Sequence, residues 1–268
     1  MSRILLYLFC CCCYFSVSAA DSLSLLRSLP LKARILQVDE LGNAYVVTTE
    51  NELIRYTPAG DSSTNFRSIA NGDIGYIDVT NPLRILVYYP RFSKLVLLDR
   101  MLSLKNELNL RPLNLVNSSL VAQSADGNLW VYDQFNATLN KLDMQLNYMI
   151  RGNDLRQQLA ALPAPSFMME RERKVYMTDT AAGILVFDQY GTYINTLSIP
   201  GIRQLQLIGN QLVFRRGDAL VAYDMQQFSE SAISLPGAAT SRILQAALCR
   251  GILYVLYTDR LDWYKVGG

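Results

Sequence analysis

The sequence predicts an all-β fold: a six-bladed β-propeller with four-stranded antiparallel blades, closed by its N-terminal strand. Short apolar strand patterns recur at a spacing of about forty residues, which is the length of one blade. A Ser-Leu-Pro or Ser-Ile-Pro tripeptide occurs three times, as Ser28-Leu29-Pro30, Ser198-Ile199-Pro200 and Ser234-Leu235-Pro236. The last repeat is one strand short, so we expect residues 22–31 to supply its outer strand. Closure would leave no blade edge unpaired.

The second and third strands of each repeat carry the clearest pattern. Runs of β-branched and aromatic residues bounded by turn residues are typical of strands. The second strands are predicted at 44–47, 85–88, 129–132, 175–177, 212–214 and 253–256. The third strands are predicted at 53–56, 95–98, 139–142, 184–187, 220–223 and 261–264.

Turn residues separate these strands. Four third strands end on an aspartate, a residue whose side chain accepts hydrogen bonds from the backbone two residues on. We therefore interpret these four as turn caps and not as catalytic acids. They are Asp99, Asp143, Asp188 and Asp224. Three Gly-Asn pairs, at 42–43, 127–128 and 209–210, predict tight hairpins between first and second strands.

One segment departs from the β pattern. Leu155, Leu159 and Leu162 share one helical face, and Pro163 follows them directly. With Asn153 as a candidate N-cap, this spacing favours an amphipathic helix. The sequence therefore predicts one short inserted helix near residues 154–162, between the third and fourth blades.

The N-terminus has the features of a signal peptide. Arg3 precedes an apolar run at 4–15 and small residues at 17–20. The run is shorter than the roughly 20 residues that span a bilayer, and no later segment is apolar enough. We therefore expect residues 1–20 to be a signal peptide. The mature chain, 21–268, would then be one propeller domain without a transmembrane helix, in the periplasm or at the outer membrane of a bacterium.

Cysteine usage leaves one question open. Four of the five cysteines, at 10–13, lie within the signal region. One of them could be a lipid anchor, or all four could simply be small apolar residues of the signal. The remaining cysteine, Cys249, lies in an apolar run, which favours a buried hydrophobic side chain over a nucleophile.

Composition excludes several kinds of chemistry. The mature chain has 24 Lys and Arg (25 minus Arg3) against 23 acidic residues, which gives no basis for nucleic-acid binding. The sequence contains no histidine, the commonest general base and zinc ligand. Calcium needs only oxygen ligands, and Asp39 and Asp78 hold equivalent places along the channel, but other first strands lack matching carboxylates. We predict no catalytic residue, metal or cofactor.

Three short segments resemble a known repeat. Asp39-Glu40-Leu41-Gly42-Asn43-Ala44-Tyr45-Val46 is similar to the D-x-x-G-N-x-Y-V core of NHL-like, and related TolB-like, six-bladed propeller repeats. The segment 124–131 resembles it less closely, because its acidic residue is displaced by two positions, and the segment 186–191 is similar to the strand end of those repeats. The resemblance implies a six-bladed propeller of a bacterial exported type. It implies no activity, because function belongs to sites and not to folds.

The loops that join second to third strands should gather on one face of the ring. They carry aromatic and arginine residues, which are enriched at protein interfaces. We predict as binding contacts Tyr89, Arg91, Phe92, Phe135, Arg215 and Arg216. The alternative is that the aromatic residues among them pack between adjacent blades.

The leading functional hypothesis is an exported, non-enzymatic propeller that binds a protein partner as a scaffold in an envelope-associated assembly. The first alternative is a small-molecule or glycan binder at the channel mouth, in which aromatic faces would stack on sugars. The residues considered for that role are Tyr88, Tyr89, Trp130 and Phe135. The second alternative is a calcium-dependent hydrolase or lyase.

Overall fold

A computed structural model describes residues 23–115, 120–237 and 242–267. The chain forms a ring of six four-stranded antiparallel sheets, each of which is one blade. The predicted signal peptide, with Cys10 and its three neighbouring cysteines, lies outside the described residues. No helix in the described ranges is long and apolar enough to cross a membrane.

The strands follow the repeat order along the chain. Blade 1 consists of β2 Ala33–Val38, β3 Ala44–Thr48, β4 Leu53–Tyr56 and β5 Ser62–Phe66. Blade 2 consists of β6 Tyr76–Asp78, β7 Arg84–Tyr89, β8 Lys94–Asp99 and β9 Leu104–Asn109. Blade 3 consists of β10 Leu120–Gln123, β11 Leu129–Asp133, β12 Thr138–Leu142 and β13 Tyr148–Ile150. Blade 4 consists of β14 Pro165–Arg171, β15 Lys174–Asp179, β16 Gly183–Phe187 and β17 Tyr193–Leu197. Blade 5 consists of β18 Gln206–Ile208, β19 Gln211–Arg216, β20 Ala219–Asp224 and β21 Ser229–Ser234. Blade 6 consists of β22 Ile243–Cys249, β23 Ile252–Tyr257, β24 Arg260–Val266 and the N-terminal β1 Leu23–Pro30.

The N-terminal strand closes the ring, as predicted. β1 pairs antiparallel with β24, from Leu23 opposite Val266 to Pro30 opposite Arg260. The Ser28 hydroxyl donates a 2.6 Å hydrogen bond to the buried Asp262 carboxylate. Both chain ends therefore belong to one blade.

The Ser-Leu/Ile-Pro tripeptides lie where the fourth strands of blades 4, 5 and 6 stop and the chain passes to the next blade. The tripeptide of blade 4 follows β17 directly, that of blade 5 begins on the last residue of β21, and that of blade 6 ends β1. In two of them the residue after the proline donates its backbone N–H to the hairpin of the same blade. Leu31 donates to Asp259 O at 2.9 Å, and Gly201 donates to Thr180 O at 2.8 Å. The tripeptide thus marks the point at which an outer strand stops pairing.

The apolar core lies between the blades. β3, β11 and β16 are buried along their whole length, because a neighbouring blade covers each face. The outer strands β9 and β21 are mostly exposed. One apolar cluster joins Val47 and Leu53 of blade 1 to Ile77, Val87 and further residues of blade 2, and similar clusters join the other pairs of blades.

Glutamines on the first strands bind the backbone of the next blade. Gln245 of blade 6 accepts a hydrogen bond from the Leu36 N–H of blade 1. Gln206 of blade 5 accepts from the Leu248 N–H at 2.8 Å. First strands at the centre of the ring have no β-partner on their inner side, so these side chains satisfy backbone groups that would otherwise lack a protein partner. This role explains why the first strands carry Gln between apolar residues.

The turn predictions are confirmed. All four predicted capping aspartates accept hydrogen bonds from the backbone N–H two residues on; for example, Asp99 accepts from Met101 and Asp188 from Tyr190, each at 2.8 Å. Gly42 and Gly127 have φ values of 87° and 91° in their hairpins, a conformation that glycine adopts without steric cost.

The predicted inserted helix is wrong. Residues 154–162 contain only a three-residue 3-10 turn, Leu155–Gln157, which Asp154 and not Asn153 caps. Leu155 is buried, but Leu162 is 54% exposed. The backbone is held on both sides, because Leu155 donates its N–H to Ala137 O of blade 3 at 2.9 Å and the Ala164 N–H binds Asp179 of blade 4 at 2.7 Å. These bonds fix the segment as a connection between two blades.

Candidate functional site

The ring has two faces with different loops. The upper face carries the loops between second and third strands, at 49–52, 90–93, 134–137, 180–182, 217–218 and 258–259, together with the connections between blades. The lower face carries the other hairpins of each blade, for example 39–43 and 225–228. All six predicted contact residues lie at or beside the upper loops.

Phe92 forms the clearest exposed feature of the upper face. It lies in the 3-10 turn Pro90–Phe92 that joins β7 to β8, and it is 37% exposed. The guanidinium groups of Arg91 and Arg111 lie 5.9 Å and 5.6 Å from its ring centroid, within cation–π range. Arg111 also donates to the Arg91 carbonyl at 3.4 Å. The result is one apolar ring flanked by two cations.

Phe135 projects from the adjacent blade. It lies in the loop between β11 and β12 and is 80% exposed. Its backbone N–H binds the Asp133 carboxylate at 3.0 Å, as does that of Asn136 at 3.2 Å, so the loop is well ordered by its own hydrogen bonds. We call Arg91, Phe92, Arg111 and Phe135 the blade 2–3 surface.

Tyr89 does not belong to this surface. It is fully buried in the cluster between blades 1 and 2. Burial raises the pKa of its hydroxyl, and the acidic Glu107 adds to that shift. The alternative considered from the sequence, packing between blades, therefore holds for Tyr89, and the structure removes it from the exposed contacts.

Arg215 and Arg216 are neighbours in sequence but face different surroundings. Arg216 forms an ion pair with Glu230 at 2.7 Å and lies over the Phe214 ring at 5.2 Å. Arg215 instead donates to the carbonyls of Ile243 and Leu244 of blade 6, at 2.9 Å and 3.1 Å. It lines the central channel, whereas Arg216 belongs to the blade surface.

A tyrosine divides the channel into two mouths. Tyr76 of blade 2 donates its hydroxyl to Met168 O of blade 4 at 2.8 Å, and its ring meets Phe167 edge-on at 5.9 Å. This contact joins blade 2 to blade 4 on the channel side of blade 3. The first strand of blade 3, β10, is buried throughout. Burial, with a smaller contribution from Asp78, raises the pKa of the Tyr76 hydroxyl well above its usual value. The hydroxyl is therefore a neutral donor at physiological pH.

The upper mouth is a basic cavity. Its volume is about 1050 Å³, and its rim carries Arg34, Arg203, Arg215 and Arg242. Sequence reasoning selected only Arg215 of these four. Of the others, Arg34 lies in β2 of blade 1, and Arg203 and Arg242 lie on the connections that lead into β18 of blade 5 and β22 of blade 6. No spacing along the chain reveals that they meet.

The lower mouth is a smaller cavity of about 630 Å³ with acidic residues on its rim. Asp39 accepts hydrogen bonds from the Leu41 and Asn43 backbones at 2.9 Å and 2.8 Å, so it caps its own hairpin. Asp78 accepts from the Gln123 N–H of blade 3 at 2.7 Å. Burial raises the pKa of Asp78, and the hydrogen bonds that it accepts oppose that shift. Both carboxylates thus have structural partners.

No group of three or more Cys, Asp or Glu with metal-binding geometry occurs among residues 23–115, 120–237 and 242–267. Cys249 is half-buried, and its thiol donates to Asp39 O at 3.3 Å. Burial raises the pKa of that thiol. The thiol is therefore a weak nucleophile, as its apolar surroundings in the sequence suggested.

The aromatic residues considered for sugar stacking are mostly inaccessible. Tyr88 and Tyr89 are 1% and 0% exposed, and Trp130 is 0% exposed. Of the four, only Phe135 presents a ring to solvent. The glycan hypothesis therefore loses three of its four stacking residues.

Comparison with known proteins gives likeness of fold only. No family model matches the chain, and no curated protein matches its sequence. Virginiamycin B lyase from Staphylococcus aureus superposes with a TM-score of 0.61 at 8% identity, over 91% of this chain and 100% of that one. A catalytically inactive histidine-to-alanine variant of that lyase, bound to quinupristin, gives a TM-score of 0.57 at 10% identity over 87% of this chain and 80% of that one.

A third solved structure has the same degree of likeness. The Pan2 WD40 domain from Neurospora crassa superposes with a TM-score of 0.61 at 8% identity, over 91% of this chain and 95% of that one. At such identities only the architecture is shared. The chain is a six-bladed β-propeller, and its likeness to these proteins ends at the fold.

Proposed function

We propose that this protein is an exported, non-enzymatic propeller that binds a protein partner as a scaffold in an envelope-associated assembly. The observation that carries the proposal is the blade 2–3 surface. Phe92 and Phe135 are exposed aromatic side chains on neighbouring blades of one face, and Phe92 is flanked by two arginines. Aromatic and arginine residues are the types that contribute most to binding at protein interfaces.

The chemistry of this surface defines the partner that would fit. Fully burying an exposed phenylalanine side chain contributes about 1.5–3 kcal/mol. Phe135 is 80% exposed and can gain most of that value, whereas Phe92 is 37% exposed and can gain a part of it. Arg91 and Arg111 donate in planar forks, which suit carboxylates. The expected partner therefore presents apolar pockets beside Asp or Glu side chains. A rigid ring adds to affinity, because little ordering entropy is lost when it binds.

Two observations support a non-enzymatic role. The lyase that resembles this chain in fold is inactivated when one histidine is replaced by alanine, and this sequence contains no histidine. The carboxylates at the lower mouth, Asp39 and Asp78, have structural hydrogen-bond partners. These features favour binding over catalysis as the use of the ring.

The test is a comparison of matched variants in an envelope extract. The tagged full-length protein is expressed in its source cells, cross-linked, and its partners are identified by mass spectrometry. The variant Phe92→Ser/Phe135→Ser removes both exposed rings of the blade 2–3 surface. We expect at least one envelope protein that is abundant with the wild type to fall about tenfold or more with this variant, because burial of the two exposed ring surfaces together contributes more than about 1.4 kcal/mol.

The control is Phe228→Ser on the lower face. Phe228 is 77% exposed in the hairpin between β20 and β21, so its loss changes exposed apolar area without touching the upper face. The same partner should remain bound to this variant. A partner lost equally with both variants, or no partner whose recovery depends on Phe92 and Phe135, would contradict the proposal.

A further inference from the structure

Four arginines form the rim of the upper channel mouth. Arg34 lies in β2 of blade 1, and Arg215 lies in β19 of blade 5. Arg203 lies on the connection that leads into blade 5, and Arg242 lies directly before β22 of blade 6. We propose that this mouth is a binding site for a small organic polyanion that carries at least two phosphate or carboxylate groups. The site is separate from the blade 2–3 surface, and the inference does not depend on a protein partner.

The positive charge at this rim is not balanced by carboxylates. None of the four guanidinium groups forms an ion pair with any carboxylate in the described part of the chain, whereas Arg171 and Arg216 lie 3.3 Å and 2.7 Å from the carboxylates of Glu40 and Glu230. Among the described residues that line the cavity, Asp218 is the one with an acidic side chain. Asp73 also acts on Arg34 through space, but it is an exposed residue.

Two of the arginines are held in place by neutral acceptors. Arg215 binds the carbonyls of Ile243 and Leu244, and Arg34 donates to Asn51 Oδ1 at 2.8 Å. Burial lowers the pKa of both groups. At Arg34 the Asp73 carboxylate raises the pKa in part, and at Arg215 the Asp218 carboxylate raises it while the Arg242 charge lowers it. Partly desolvated like charges without a carboxylate partner repel each other, and a bound anion would relieve that repulsion.

The shape of the cavity suits a small molecule. A volume of about 1050 Å³ lies near the upper end of the roughly 300–1,000 Å³ usual for ligand pockets. Phe167 and Tyr76 form an apolar floor with a polar edge, below the arginine rim. Such a lining fits a ligand with an organic body and several acidic groups.

Charge along the channel favours the same ligand. The upper rim has four arginines and one aspartate, whereas the lower rim carries Asp39, Glu40, Asp78 and Glu172 against Arg171 and Arg250. A cleft with charges of one sign concentrates ions of the opposite sign. An anion is therefore drawn to the upper mouth and repelled by the lower one. Guanidinium forks bind phosphate and carboxylate oxygens in pairs, which gives such a site its geometry.

The experiment is calorimetric titration of the mature protein with two probes, pyrophosphate and citrate, which separate phosphate from carboxylate recognition. We expect at least one probe to bind with a Kd below about 1 mM at low salt. The test variant is Arg203→Gln/Arg242→Gln, since both side chains are exposed and their loss leaves the bonds of Arg34 and Arg215 intact. Binding should weaken about 100-fold, or about tenfold for each guanidinium removed.

The matched control is Arg173→Gln/Arg250→Gln. Both residues are exposed and lie in lower-face hairpins, so the change in net charge is the same. Binding by this variant should stay within about threefold of the wild type, because the removed charges are remote and screened. If both double variants weakened binding equally, the effect would be one of net charge alone, and the proposal would be overturned. Failure of both probes to bind the wild type would also overturn it.

Discussion

A chain that lacks residues 23–30 is expected not to fold. Without β1, the strand β24 loses its partner along the register from Leu23–Val266 to Pro30–Arg260. The backbone edge left behind favours aggregation. Each lost hydrogen bond contributes about 0.5–1.5 kcal/mol, so the total approaches the roughly 5–15 kcal/mol that stabilises a whole domain.

The loss extends beyond the backbone. The buried Asp262 carboxylate loses its 2.6 Å hydrogen bond from Ser28, and the cluster around Trp263 loses the cover of Leu29. Circular dichroism and size exclusion of the chain that begins at residue 31, compared with the chain that begins at residue 22, measure the outcome. A synthetic peptide of residues 22–31 added during refolding serves as the control and should restore a monomeric ring. A truncated chain that unfolds cooperatively at the denaturant midpoint of the full chain would contradict this prediction.

Replacement of Trp130 by alanine is expected to destabilise the ring by about 3–5 kcal/mol, the usual cost of removing a buried tryptophan. The Trp130 ring is fully buried in the cluster between blades 3 and 4. Its indole N–H donates to the Glu170 carboxylate of blade 4, and the Lys141 ammonium lies 4.9 Å from its ring. The substitution therefore leaves both a cavity and a carboxylate with fewer donors.

Trp263 is the one other tryptophan, so its fluorescence reports the unfolding of the variant. The matched control is Tyr190→Ala. Tyr190 is an aromatic residue that is 65% exposed in the hairpin between β16 and β17, on the lower face of blade 4. This control should change the free energy of unfolding by less than about 0.5 kcal/mol. A Trp130→Ala protein with the midpoint of the Tyr190→Ala protein would show that the link between blades 3 and 4 contributes little.

The strands and their order could be predicted from the sequence because the signals are local and repeated. A run such as Leu129-Trp130-Val131-Tyr132 predicts a strand from its own residues, without knowledge of the strands that pair with it. The hairpin at Gly127 follows from its own residues, since the turn conformation favours glycine. Closure by β1 followed from the missing strand in the last repeat. These features depend on short stretches of chain.

In the third repeat the acidic residue is Asp126, two positions later than Asp39 in the first repeat relative to the Gly-Asn pair, and the structure explains this displacement. In blade 1, Asp39 accepts a hydrogen bond from the Tyr45 hydroxyl at 3.2 Å within one hairpin. In blade 3, Ser124 stands at the place of Asp39, and Glu170 of the next blade provides the carboxylate for Trp130. Both repeats therefore have a carboxylate that accepts a hydrogen bond from the aromatic residue of the second strand, but in blade 3 the carboxylate belongs to the adjacent blade. A pattern within one repeat cannot reveal this.

The site was harder to predict because exposure depends on the neighbouring blade. Tyr89 and Phe92 are three residues apart in one loop region, yet one is fully buried and the other is 37% exposed. The arginine rim combines residues from three blades, and the cross-channel bond of Tyr76 joins positions 92 residues apart. The helix prediction failed for a related reason, because tertiary hydrogen bonds outweighed the local leucine spacing.

Hydrogen exchange of the backbone amides in β1 tests the closed ring most directly. In the folded protein at neutral pH, we expect the amides of residues 23–29 that pair with β24 to be as strongly protected as those of the outer strands β9 and β21. Paired amides exchange only through opening of the blade, so protection would show that the chain's two ends share one sheet. Exchange of β1 at the rate of an unstructured peptide, while blades 2 to 5 stay protected, would contradict the closed ring and the placement of every surface derived from it.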